Sequence, residues 1–167
     1  MKSLKFVLAG PGALGLSLSW ALRRAGHRCV GVQGRGTRAV ARALSRHKTV
    51  SLSPGTEKRF DLLLLAVPDA AFSSVCQKSA RSSGDWRGRF VIHVSGALSS
   101  EVLAPLRRGG ARCGSLHPLT SLPRPSFDAD LFRRVTFAVE GDGGARTLGG
   151  RLAGQLGARV VHVPADS

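Results

Sequence analysis

The 167-residue sequence predicts an α/β fold with a doubly wound, mainly parallel sheet. Short runs such as Leu4–Ala9 and Asp61–Val67 are apolar on both faces and end at glycine or proline, as buried parallel strands do. Segments with apolar residues at helical spacing alternate with these runs, so helices cover both faces of the sheet. Crossovers in such sheets are right-handed, which leaves the doubly wound arrangement as the default. The composition agrees: 43% hydrophobic and 21% charged residues are globular proportions, and the length suits one domain, residues 1–167.

The elements follow in order. Leu4–Ala9 is the first strand. From Ala13 to Ala25, Leu14, Leu18, Ala21, Leu22 and Ala25 recur at helical spacing, and Gly26 stops the helix. Cys29–Gln33 is a second strand, Arg38–Arg46 a helix, and Thr49–Leu52 a short third strand. Asp61–Val67 is the clearest strand, and Pro68 ends it. Phe90–Val94 follows, then a helix near Ser99–Arg108 and strands at Arg112–Leu116 and Val135–Glu140. A helix near Ala145–Leu156 leads into a last strand, Arg159–Val163. The proline-rich stretch from Pro118 to Phe132 is the longest irregular segment, and long loops in compact domains are often functional. No internal repeat or low-complexity segment is apparent.

Gly10-Pro11-Gly12-Ala13-Leu14-Gly15 has the spacing G-x-G-x-x-G between the first strand and the first helix. At that spacing Gly10 allows the tight turn and Gly12 lets backbone approach a pyrophosphate. Gly15 brings helix and sheet together. The helix beginning at Ala13 offers free N–H groups and a positive dipole end to the anion. A strand, a glycine turn and a helix in this order make a dinucleotide cradle. The choice between dinucleotides falls about 20 residues further on, where an acidic residue would hold a ribose 2′-hydroxyl. Gln33 stands there instead, followed by Gly34-Arg35-Gly36-Thr37-Arg38, with no carboxylate between Gly10 and Glu57. Arg35 can grip a 2′-phosphate through paired N–H groups, with Thr37 and Arg38 in reach, which favours NADP over NAD.

Three more strand ends fall on the same sheet edge. Ala66-Val67-Pro68 suits a wall against the cofactor, with Asp69 capping the next helix. Ser95-Gly96 ends the 90–94 strand, where Ser95 can bind a substrate oxygen or the nicotinamide amide. His117 ends the 112–116 strand and can act as general acid or base near neutral pH. Plain structural roles, a turn cap for Ser95 and a carbonyl partner for His117, compete with these assignments. His93 lies within a strand and is expected to be a packing histidine.

Gly10–Gly15, Ala66-Val-Pro-Asp69, His93-Val-Ser-Gly-Ala97 and Gly114-Ser-Leu-His-Pro-Leu119 together resemble a family that pairs a Rossmann-like domain with an all-helical domain of unassigned activity. Its members are usually described as NADP-dependent oxidoreductases. The family is similar to 6-phosphogluconate dehydrogenase, pyrroline-5-carboxylate reductase and prephenate dehydrogenase. The resemblance covers the whole chain and implies a Rossmann NAD(P)-binding fold, NADP as cofactor and a small-molecule substrate. It also implies substrate contact at Ser95 and His117, which match positions used by prephenate dehydrogenases. Related Rossmann proteins use a deazaflavin as hydride partner. A helical substrate and dimerisation domain would be expected after residue 167, where this sequence stops. That departure leaves open a non-catalytic dinucleotide-binding module that senses redox state or docks to a helical partner or a second copy.

Twenty-five Lys and Arg against ten Asp and Glu give a formal charge of +15. The cations are scattered and aromatic residues are only 5%, so a nucleic-acid surface is the weakest of the three readings. Cys29, Cys76 and Cys113 have no metal-ligand spacing and read as buried free thiols, with no metal site. Lys2 and Lys5 before Phe6–Ala9 imitate a signal peptide, but Gly10-Pro11-Gly12 interrupts the run. No apolar stretch approaches the roughly 20 residues of a membrane span, and a cytoplasmic location is expected.

Overall fold

The structure, a computed structural model, describes residues 3–49, 51, 60–128 and 130–164. Seven strands form one sheet in the order β2-β1-β3-β4-β5-β6-β7. The strands are β1 (Lys5–Ala9), β2 (Arg28–Gln33), β3 (Leu62–Leu65), β4 (Phe90–His93), β5 (Arg112–Pro118), β6 (Thr136–Gly141) and β7 (Arg159–His162). The helices are α1 (Ala13–Arg24), α2 (Thr37–His47), α3 (Phe72–Ser83), the short α4 (Ala104–Arg108) and α5 (Gly143–Gln155). All strand pairs are parallel except β5 with β6. That exception follows from its connection, which holds no helix over the sheet; antiparallel neighbours need no crossover.

The parallel strands carry apolar residues on both faces because both faces are covered. On one side Phe6, Leu8, Leu62, Leu64 and Ile92 pack against Leu18 and Leu22 of α1 and Leu148 and Leu152 of α5. On the other, Val7, Leu63, Leu65 and Val91 meet Phe72 and Cys76 of α3 and Leu106 of α4. The helix expected after Pro68 is α3, for which the sequence reading set no bounds; Asp69 does not cap it but opens a 3-10 turn, Asp69–Ala71, and α3 begins at Phe72 with no side-chain cap. Its inward positions hold Cys76 and Ser79 beside Phe72, so its apolar stripe is faint although all three are buried. The expected strand at Thr49–Leu52 falls partly outside the described residues; Ser51 makes an isolated parallel bridge to Val32.

The loop after β5 is fastened to α1. Ser126 N–H donates to Ser17 Oγ at 2.9 Å, and Trp20 Nε1–H donates to the Phe127 carbonyl at 3.1 Å. The Phe127 ring meets Trp20 edge-on at 5.9 Å, and the Arg46 guanidinium lies 4.1 Å from the Phe127 ring centre. This segment therefore serves as a strap over α1.

Candidate functional site

The carboxyl ends of β1, β2 and β3 open into a groove of about 880 Å³. Its floor is the turn Gly10-Pro11-Gly12 with Ala13, Leu14 and Gly15. One wall is Gln33 to Gly36 with Ala39; the other is Ala66 to Pro68 with Ala71, just before α3, and Ser74, Val75 and Lys78 of α3. Val94 and Ser95 close the far end. No carboxylate is among these lining residues.

The three glycines of the turn do different work. Gly10 has φ +89°, a left-handed conformation, and a Cβ there would collide with the Ala66 carbonyl and stand 2.7 Å from Val67 N. A Cβ at Gly15 would strike the Gly10 carbonyl and approach Ala66 Cβ at 2.9 Å, so this glycine seats α1 against the sheet. At Gly12 a Cβ would meet nothing within 4 Å. Gly12 alone of the three leaves open space, and that space is the groove. The N-terminus of α1 has no side-chain cap, and its first turn contains no acidic residue. The leading N–H groups of α1 are thus offered to an anion rather than to the chain's own side chains.

Of the residues expected to hold cofactor, Gly10, Gly12, Ala13, Leu14, Gly15, Gln33, Arg35, Ala66, Val67, Pro68 and Ser95 all line this groove. Gln33 is buried and its carbonyl accepts from Gly10 N at 2.9 Å, which locks the turn to β2. Arg35 is exposed at the mouth. Thr37 opens α2, and Arg38 is exposed on α2; neither Arg38 nor Gly96 is among the residues lining the groove. The structure adds Ser74, Val75 and Lys78, which sequence reasoning missed because it gave the helix after Pro68 neither bounds nor an inward face. A helix between two adjacent parallel strands was the available signal.

His117 also lies off the groove wall, but the sheet brings it beside Ser95. β4 and β5 are neighbours, and His117 Nδ1 lies 2.9 Å from the Val94 carbonyl. A carbonyl can only accept, so Nδ1 carries the proton, and the neutral ring keeps its lone pair on Nε2. That nitrogen lies against Gly96, where a Cβ would collide with it. Ser95 Oγ accepts from Ala97 N–H at 3.1 Å, which leaves the hydroxyl proton free to donate.

His93, the residue before Val94, is fully buried edge-on to Phe72 at 5.4 Å. Burial drives its pKa down to about 4, outweighing the opposing pull of Glu140, so it is a neutral packing residue at pH 7. The Glu140 carboxylate is itself buried and accepts from Ser100 N–H at 2.9 Å and Ser100 Oγ–H at 2.6 Å. Burial raises the thiols of Cys29 and Cys76 to about 11 and of Cys113 to about 12, which makes them poor nucleophiles. Among the described residues no cluster of three or more His, Cys, Asp or Glu could hold a metal, and no helix is long and apolar enough to cross a membrane.

Residues 2–118 match the family model for the Rossmann-like domain, and this span holds the glycine turn and every groove residue. The chain belongs to the Rossmann-like domain family. No curated protein matches it in sequence. Among solved structures this Rossmann-like chain is similar to a protein provisionally named an NADP oxidoreductase from Bacteroides fragilis. The TM-score is 0.81 and the identity 19%, over 98% of this chain and 61% of that one. It is also similar to prephenate dehydrogenase from A. aeolicus in complex with hydroxyphenyl propionate and NAD+, with TM-score 0.80 and 15% identity over 99% and 62% of the two chains. A reductive aminase from Aspergillus terreus in complex with NADPH and ethyl-5-oxohexanoate gives TM-score 0.74 and 15% identity, over 99% of this chain and 56% of that one. The chain thus spans about three fifths of the length of these proteins. At such identities the likeness establishes the fold: an α/β architecture with a seven-stranded, mostly parallel sheet.

Proposed function

We propose that this chain is the cofactor domain of an NADP-dependent oxidoreductase that moves hydride to or from a small-molecule substrate. The observation that carries the reading is the groove itself. A glycine turn, an uncapped helix N-terminus and Arg35 converge on one cavity with no carboxylate among the described residues of its walls. The cavity fits a dinucleotide: Gly12 leaves open space where a pyrophosphate would approach backbone, and the groove volume lies within the range of cofactor sites. Arg35 at the mouth would pair with a 2′-phosphate through its planar fork.

When bound, the nicotinamide supplies the hydride chemistry. The chain's own groups supply position and proton handling. Ser95, at the far end of the groove, would donate its free hydroxyl proton to a substrate oxygen or to the cofactor amide. His117 Nε2 would take the hydroxyl proton of a substrate alcohol during oxidation and return it during reduction. The Val94 carbonyl holds the ring in the tautomer this role needs. The relatives' names support the reading, since they include dehydrogenases and a reductive aminase with nicotinamide cofactors bound.

Calorimetric titration with NADPH and NADH tests the proposal. NADPH should bind more tightly than NADH, and Arg35→Ala should remove most of that preference while leaving NADH affinity within about twofold. Equal losses for both cofactors would refute the role given to Arg35, and binding of neither would refute the proposal.

A further inference from the structure

A second cation faces the same groove from the opposite wall. Ala71, Ser74, Val75 and Lys78 follow the spacing i, i+3, i+4, i+7, so one stripe at the start of α3 lines the cavity, with Lys78 at its far end. Arg35 stands across from it. β2 and β3 flank β1, so the two walls rise from strands about 10 Å apart. Long side chains from both can meet at one ligand group between them. Arg35 and Lys78 are the two cations among the residues lining the groove, and neither takes part in an ion pair among the described residues. Both side chains are exposed, so each can swing toward a ligand.

We infer that Lys78 is a specificity-determining residue, the second arm of a clamp that closes on the cofactor's 2′-phosphate from the α3 wall. The inference rests on the NADP reading and extends it. A phosphate monoester carries about −1.5 to −2 charges at neutral pH, more than one guanidinium neutralises. The two arms divide the work. Arg35 sets the angle of the phosphate through its planar fork, and Lys78 brings a compact charge on a flexible stem. Arg38, expected from sequence to share this task, is exposed on α2 and off the groove wall. Lys78 takes that place, from the opposite side of the groove. A ribose hydroxyl in the same position carries no charge for Lys78 to neutralise, so its contribution falls on NADP alone.

The test is titration of the full chain with NADPH, NADH, 2′,5′-ADP and 5′-ADP, using wild type, Lys78→Met, Lys78→Arg and Arg35→Ala. Methionine keeps most of the stem of an exposed side chain, and an unchanged circular dichroism melting curve confirms that each variant folds. Lys78→Met should weaken NADPH and 2′,5′-ADP about tenfold and leave NADH and 5′-ADP within about twofold. Lys78→Arg should restore most of the affinity. Equal losses on all four ligands would place Lys78 against the adenine or the pyrophosphate and overturn the inference, as would no loss at all. If Arg35→Ala lowers the NADPH preference while Lys78→Met does not, the clamp fails and the NADP reading stands. If wild type shows no NADPH preference, both fail.

Discussion

Acidification from pH 7 to pH 5 is expected to remove about 4 kcal/mol of folding stability through two buried histidines, His47 and His93. His93 is fully buried and His47 is 5% exposed. Burial lowers both pKa values from 6.5 to about 4; the Arg23 charge adds to this at His47, and Glu140 opposes it at His93. The folded pKa lies below the unfolded one, so between about pH 4 and 6.5 the unfolded chain binds more protons. Stability therefore rises with pH, is fully present above about 6.5 and is lost as pH falls toward 4. At pH 5 the unfolded imidazole is almost wholly protonated and the folded one almost wholly neutral, a difference of about 2 kcal/mol per histidine relative to pH 7. Asp85, which Arg87 holds below its ordinary value, titrates below this window. Urea unfolding followed by tryptophan fluorescence would show the effect as a midpoint lower by about 2 M at pH 5, for a slope near 2 kcal/mol per molar urea. His93→Leu should flatten the pH dependence by about half. A midpoint constant between pH 7 and pH 5, or a full slope retained in His93→Leu, would refute the reasoning.

The glycine turn predicts two opposite phenotypes. Gly12→Trp points into open groove, so the melting temperature should hold while NADPH titration shows no binding; retained affinity would mean the cradle is misassigned. Gly15→Ala forces α1 off the Gly10 carbonyl and Ala66, and should cost about 1–3 kcal/mol in urea unfolding. At the other end of the groove, Gly96→Ala should displace the His117 ring. Nitrogen-detected imidazole NMR should show wild-type His117 as the Nδ1–H tautomer and the variant as a mixture. An unchanged spectrum would mean that Gly96 does not position the ring.

What was legible in the sequence depended on local chemistry. Asp61–Val67 and Leu4–Ala9 announced themselves because a strand covered on both faces must be apolar throughout. Gly10 to Gly15 was legible because turn, close approach and helix packing each demand glycine at a set position. Of α3 the sequence showed only that a helix follows Pro68; its bounds and inward face were left out, because its buried side is served by Cys76 and Ser79 as much as by Phe72, leaving little amphipathic contrast. The same omission hid the wall that holds Lys78. Arg38 stands near Arg35 in sequence, but α2 begins between them and Arg38 is not among the residues lining the groove.

By itself the sequence determined the α/β class, the glycine turn between β1 and α1 and the absence of a carboxylate beside Arg35, since each rests on residues adjacent along the chain. Tertiary structure alone decided which distant residues meet. The strand order β2-β1-β3 sets Arg35 and Lys78 on facing walls, and the β4-β5 pairing sets His117 against Val94 and Gly96. It also decided which turn glycine opens on the groove and which face the protein, because a missing Cβ acquires meaning only from what surrounds it. Periodicity records how one segment is buried. It carries no record of which strands become neighbours, and the site is made by those neighbours.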